Sequence, residues 1–312
     1  SIRHVKGLCV IADFADRKLE NAQGIGVRTE GEIRGILNDM EAHWAWMSVN
    51  TRFYTWDTVR VTLDQNFGED AFPDAFEFRR AVGQKVRQAV NPDDYDVNED
   101  GIMDTVFIVV ASHDDLPLWI NSEPNRPALY FMEGMDCFAE GQAGYAVRWE
   151  STGVFNHETS HCRVNGFQAD VYGETDTLNY LTLMASGWEK PPSGFSAFER
   201  CNMGWVVPEV VKDTRKGVHL RAAEYHLEAI KIPTPVGHEY YLIEFRDKPE
   251  SGFGCDTRIP DHRGLAIYHI NLSRSMLDNN GIPPMIRIEA PDGQLDYGTT
   301  PDTTDFWYPG NP

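Results

Sequence analysis

The chain has 312 residues, 41% of them hydrophobic, and carries 48 acidic against 28 basic side chains for a net charge of −20. That length can bury a sizeable core and supports one large domain or two smaller ones. So acidic a surface repels phosphate backbones and anionic lipid headgroups, which makes nucleic acid a poor partner, and no apolar run approaches the ~20 residues that cross a bilayer.

Taken in order, Val5 to Asp13 reads as a strand, with Cys9 an inert thiol inside its apolar run. Thr29 to Ser48 is predicted helical, with Thr29 as N-cap and Ile33, Ile36, Leu37, Met40 and Trp44 along one side. Thr58 to Leu63 alternates as a strand, Pro73 to Val90 has helical spacing, and Thr105 to Ala111 is a continuous apolar strand. From Ser112 to Arg148 the prolines, glycines and aromatics leave no room for regular structure. That stretch is either the wall of a substrate cleft or a surface insertion. Beyond Trp205 short strands are expected at Val218 to Leu220, Leu227 to Ile232, Glu239 to Phe245, Gly264 to Ile270 and Met285 to Glu289. No internal repeat interrupts this order, and the alternation of elements suits an α/β layer.

The string that carries chemistry is His157-Glu158-Thr159-Ser160-His161. On a helix, residues four apart share a face, so both imidazoles can hold one Zn²⁺ while Glu158 reaches the metal-bound water. Ser151 or Thr152 is the expected N-cap, and Val154 and Phe155 place one face of the helix in the core. A catalytic zinc needs a third protein ligand and an open fourth position. A glycine downstream can stop the helix and turn the chain back toward the metal. Asp170 is then the best-placed oxygen, with Glu174 and Asp176 in reserve. In this scheme zinc lowers the pKa of its water toward ~7 and polarises the scissile carbonyl, and Glu158 is the general base. Tyr172 or Tyr180 is a candidate for an added hydrogen bond to the developing oxyanion.

Several blocks make the resemblance to a known family specific. Asp170-Val171-Tyr172, Leu183-Met184-Ala185-Ser186-Gly187, and the run from Phe195 through Trp205 to Pro208 resemble segments of the M6 family of secreted metallopeptidases, the immune inhibitor A type. Glu239 to Arg246 and Gly264 to Ile270 are similar to two strands that follow in that family. The resemblance implies a zincin-like α/β fold: a twisted mixed sheet, backing helices and an active-site helix over residues 1–205, with a β-rich C-terminal portion over 206–312. It also implies His157, His161 and Asp170 as zinc ligands, Glu158 as the catalytic base, and Met184 in a methionine turn beneath the metal. Asp170 lies further beyond His161 than the family's aspartate lies beyond its second histidine, so the connecting loop is longer here.

Upstream, Asp96-Val97-Asn98-Glu99-Asp100-Gly101-Ile102-Met103-Asp104 reproduces the D-x-N-x-D-G core of a calcium loop. Asp96, Asn98 and Asp100 offer side-chain oxygens, Gly101 makes the sharp turn, Ile102 offers its carbonyl and Asp104 follows. Phe107 stands where a bidentate glutamate would close the site, and Asp93 or Asp94 is the candidate replacement. The expected role of Ca²⁺ is structural, against the alternative of a plain acidic turn. The acidic runs Asp292 to Asp296 and Asp302 to Asp305 offer a second such place, or simply a solvated surface.

Five cysteines show no C-x-x-C spacing, which argues against a cysteine zinc cluster. Cys137, Cys162, Cys201 and Cys255 can form up to two disulfides. No basic, then apolar, leader starts at Ser1, so the chain is expected to be soluble and a mature form; the resemblance implies a secreted protein. Three functions follow: a zinc endopeptidase acting on protein or peptide, a zinc amidase or deacylase acting on non-protein amides, or a non-catalytic binding protein on a protease scaffold.

Overall fold

An apolar run such as Leu8 to Ala12 can be buried on both faces only inside a sheet covered by other layers. In the computed structural model it forms β1 (His4–Asp13), followed by α1 (Glu30–Met47), β2 (Phe53–Thr62), α2 (Ala75–Ala89), β3 (Val106–Val110), β4 (Ala128–Phe131) and α3 (Arg148–Ser160). Then come α4 (Ala197–Asn202), β5 (Glu209–Val210), β6 (Ile230–Pro233), β7 (Glu239–Asp247), β8 (Arg263–Asn271) and β9 (Ile286–Ile288). The structure describes residues 4–21, 29–67, 72, 75–110, 128–131, 148–166, 168–171, 177–188, 191–255, 258, 263–274, 284–293, 302–309 and 311. The fold is mixed α/β, and among the described residues no helix is long and apolar enough to cross a membrane.

The chain divides into two units, one of Ile2–Trp44 with Arg52–Phe167, the other of Ala45–Thr51 with Gln168–Pro312 and Ser1. In the first, the sheet order is β2-β1-β3-β4, with β1 parallel to β2 and β3, and β4 antiparallel to β3. Leu8, Val10 and Ala12 of β1 join Val106, Ile108 and Val110 of β3 in a core closed by Phe78, Val82 and Val86 of α2. The opposite face carries an aromatic ladder. Trp44 of α1 lies 4.7 Å from Tyr54, Tyr54 5.7 Å from Trp56, Trp56 4.6 Å from Phe107, and Phe107 5.4 Å from Phe155 of α3. Offset aromatic contacts of this kind add to area burial, and here they lock a helix on each side of the ladder to the sheet.

Thr29 caps α1 as expected, in a reciprocal box. Glu32 N–H donates to Thr29 Oγ1 at 3.2 Å and Thr29 N–H to Glu32 Oε2 at 2.9 Å. The stretch from Ser112 to Arg148 contains β4, contrary to the expectation of no regular structure; the rest of it up to residue 147 lies outside the described residues. The free edge of β3 offers a row of backbone donors and acceptors, and four residues clear of the prolines suffice to pair with it.

In the second unit the order is β5-β6-β7-β8-β9, antiparallel throughout except that β5 runs parallel to β6. Burial alternates along β7 and β8, which places Leu242, Glu244 and Arg246 beside Ala266, Tyr268 and Ile270 on one covered face. The strand expected at Val218 to Leu220 does not form. Val218 is exposed, and the pairing in that stretch falls instead on Ala222, which bridges to Phe245. Three alternating residues without a neighbouring edge gain too little to fix the backbone.

Gly7 pairs with Trp56 across β1 and β2, and a Cβ placed on it would sit 2.4 Å from the indole ring. Gly7→Ala should therefore lower the unfolding free energy by about 1–3 kcal/mol through overpacking. Denaturant unfolding is the check, and an unchanged midpoint would show that the indole is not seated against this glycine.

Candidate metal centre

Helix α3 begins at Arg148, so Ser151 and Thr152 lie inside it rather than capping it. No proline or glycine separates Arg148 from Ser151, and nothing local stops the helix from extending back to Arg148. Val154 and Phe155 are buried as their spacing predicts. The fully buried Asn156 donates through Nδ2 to the carbonyl of Met40 at 3.3 Å and lies 2.9 Å from Nδ1 of the buried His43. An amide nitrogen only donates, so that ring nitrogen is the acceptor. These bonds tie α1 to α3 immediately before His157.

The far end of the helix is held equally closely. His161 N–H donates to Glu158 O at 3.1 Å and Cys162 N–H to Thr159 O at 3.1 Å, a tightened last turn that sets His161 just past the helix proper. Asn165 Nδ2 donates to Thr159 O at 2.8 Å and to the Tyr54 hydroxyl at 2.6 Å. A carbonyl orphaned at the helix end thus gains a buried partner, and Tyr54 belongs to the aromatic ladder. Gly166 follows with φ +75°, the left-handed conformation in which a helix commonly stops. Neither Asn156 nor Asn165 was singled out in the sequence. An asparagine one residue before a glycine at a helix end is the only local trace of the second.

The structure gathers three of the expected ligands. His157, His161 and Asp170 each present one ligand atom, and these atoms all lie within 4.8 Å of one another. Both histidines are buried and Asp170 is partly so. The two imidazole rings stand 5.1 Å apart at 82°, turned edge to face. Among the described residues no other group of three histidine, cysteine or acidic side chains comes together in this way. Two imidazole nitrogens and one carboxylate oxygen fit a borderline divalent ion such as zinc. They do not fit Ca²⁺ or Mg²⁺, which take oxygen ligands. Glu158, with its side chain 16% exposed, places Oε2 4.0 Å from His161 Nε2, at the rim of the group.

Asp170 is positioned from its own side of the chain. Val171 N–H, the next peptide, donates to the carbonyl of Met184 at 2.9 Å, and Met184 is fully buried in a tight turn. Tyr172, Glu174 and Asp176 lie outside the described residues. Tyr180 has the Arg258 guanidinium 3.8 Å above its ring. Cys162, beside His161, is disulfide-bonded, whereas Cys201 and Cys255, two of the candidates for pairing, are free thiols. Cys9 is free and buried, and burial pushes its thiol up to about 12.

In the acidic loop the side chains turn onto the loop's own backbone. Asp96 accepts from Asp100 N–H at 3.0 Å and from Gly101 N–H at 2.7 Å, Asn98 from Asp100 N–H at 3.0 Å, and Asp100 from Ile102 N–H at 3.0 Å. Gly101 has φ +87°, the sharp turn its position demands. Asp104 points inward, fully buried, and accepts from Val97 N–H at 2.5 Å. Asp93 and Asp94 sit in a single helical turn, Pro92–Tyr95, capped by Asn91. The acids of this loop do not bring three ligand oxygens as close together as the histidine group does its ligand atoms. Near the chain end, Asp302 and Asp305 form a reciprocal cap around Thr303–Asp305.

Comparison with protein-family models and with curated proteins found no match to this chain.

Proposed function

We propose that the chain is a zinc-dependent endopeptidase with a zincin-like catalytic fold. The observation that carries this reading is the convergence of His157, His161 and Asp170 within 4.8 Å, with Glu158 on the same helix beside them. A zinc ion in that donor set supplies Lewis acidity, acidifying water and polarising a carbonyl. The protein's own groups do the rest. The two histidines and Asp170 would hold the ion, and Glu158, beside them on the same helix, would take a proton from the attacking water and return it to the leaving amine. Residues Asn156 and Asn165 fix the helix so that the imidazoles and the glutamate keep their relative positions. Met184 floors the turn that presents Asp170 and takes no part in proton transfer.

Secretion is part of the proposal, supported by the disulfide at Cys162, which persists in oxidising compartments. The loop from Asp96 to Asp104 is proposed to take a structural Ca²⁺. Support comes from its D-x-N-x-D-G spacing and from the Asp96 and Asn98 oxygens, which both accept from the Asp100 N–H.

Glu158→Ala should keep its zinc while cleavage of unfolded protein substrates falls by about 10²–10⁴-fold, the usual weight of a general base. Zinc content by metal analysis and a protease assay are read on the same samples. A wild type that neither contains nor binds zinc would sink the proposal. Zinc binding with hydrolysis of small amides alone would point to the amidase or deacylase, and zinc binding without any turnover to a binding protein. Removing Ca²⁺ at constant zinc should lower the melting temperature, since a ligand bound only to the folded state stabilises it; a melting curve that does not move would count against the calcium loop.

A further inference from the structure

The turn that presents Asp170 is gripped by a buried carboxylate that the proposed chemistry does not use. Glu199, on the short helix α4, is fully enclosed, and its two oxygens do different work. Oε2 closes the helix cap, accepting from Ser196 N–H at 2.7 Å and from the Ser196 hydroxyl. A cap of this kind needs one oxygen only. Oε1 accepts instead from Oγ1 of the buried Thr182 at 2.9 Å, on a different segment.

Thr182 is the pivot of the turn that holds Met184. Its carbonyl accepts from Ala185 N–H at 3.2 Å and Gly187 N–H at 3.0 Å, and Leu183 N–H donates to Gly194 O at 2.9 Å. The approach at Gly187 is so close that a Cβ there would lie 2.3 Å from the Thr182 carbonyl oxygen, which is why no side chain fits. On the preceding residue, the carbonyl of Leu181 accepts from Arg246 at 3.1 Å, and Arg246 is itself held by Glu224 at 2.9 Å and Glu244 at 3.1 Å. The output of the turn is the Met184 carbonyl, bonded to the peptide that follows Asp170. A chain therefore runs from Glu199 to the Thr182 hydroxyl, which accepts from Met184 N–H at 3.5 Å, and on through the Met184 carbonyl to the peptide that follows Asp170.

We propose that Glu199, acting through the Thr182 hydroxyl, is a positioning residue that sets where the Asp170 carboxylate stands relative to the two imidazoles. This rests on reading His157, His161 and Asp170 as a metal site. Its consequence is that metal affinity, and not only fold stability, depends on a hydrogen bond remote from the ion. Outer partners that orient a ligand commonly change metal affinity by about 10–100-fold when removed.

The test compares Thr182→Val with Thr182→Ser. The first removes the hydroxyl at nearly constant volume and leaves the α4 cap intact, and the second keeps it. Metal-free protein is titrated with Co²⁺ alone, reading the visible absorption of the bound ion and its Kd, with the melting temperature of each metal-free variant measured alongside. The expected result is about ten-fold weaker Co²⁺ binding and an altered absorption band for Thr182→Val, with Thr182→Ser close to wild type. If Thr182→Val melts lower yet binds Co²⁺ with wild-type affinity and spectrum, the hydroxyl only stabilises the fold and the proposal is overturned. Equal weakening in both variants overturns it as well, because the hydroxyl is then not the cause. A wild type that takes up no Co²⁺ removes the metal-site reading itself, and this proposal with it. Normal wild-type binding with an indifferent Thr182→Val removes this proposal alone.

Discussion

Two imidazoles and a carboxylate held within 4.8 Å, with the imidazoles nearly closed off from water, form the constraint on which the functional reading depends. A carboxylate withdrawn from solvent is unfavourable unless its charge is matched, and a divalent ion matches it. Flexible ligand side chains would lose much of the gain in the entropy of ordering. The chain meets that cost in advance. Each stretch that carries one of the three side chains is anchored by a buried polar contact nearby: Asn156 before His157, Asn165 four residues after His161, Val171 after Asp170. Rigid backbone, rather than the ligands themselves, is what the surrounding sequence encodes.

Those anchors differ in kind. On the helix side they lead into apolar structure, since Tyr54 lies between Trp44 and Trp56 in the aromatic ladder and has its hydroxyl on Asn165. Burial pushes the Tyr54 hydroxyl far above its ordinary value, keeping it neutral and fit for that exchange. On the Asp170 side they lead into charged structure. Burial pulls the Arg246 guanidinium down, but Glu224 and Glu244 outweigh it and keep the charge in place. Tyr268 adds its hydroxyl to Glu244 at 2.7 Å. A buried ionic cluster is a poor source of net stability and a good source of geometric definition, because each member has few alternative positions that satisfy its partners.

The parts legible in the sequence are those whose cause is local. Leu8 to Ala12 is apolar on both faces and lies in a strand paired on both edges, and Thr29 and Glu32 have cap spacing and form the cap. The meeting of His157 and His161 was readable because residues four apart share a helix face, and Asp170 joins them across the turn that Gly166 begins. What was not legible depends on partners distant in the chain. Thr182 and Glu199 are ordinary residues in sequence, and their bond exists only because α4 packs on the turn. Strand β4 needed the free edge of β3, and Val218 to Leu220 had alternation but no edge to join. The cap expected at Ser151 or Thr152 gives way to a helix that runs back to Arg148, because serine and threonine mark helix caps only where the preceding residues cannot themselves be helical.

The most direct test of the central claim is X-ray absorption at the zinc edge on protein loaded with one equivalent of zinc. The account predicts a first shell of nitrogen and oxygen only, with imidazole scattering from two histidines at ~2.0–2.1 Å and carboxylate oxygen at ~2.0–2.2 Å, and with both imidazole contributions lost when His157 and His161 are replaced. A shell containing sulfur at ~2.3 Å, or a zinc signal that survives the loss of both histidines, would contradict it.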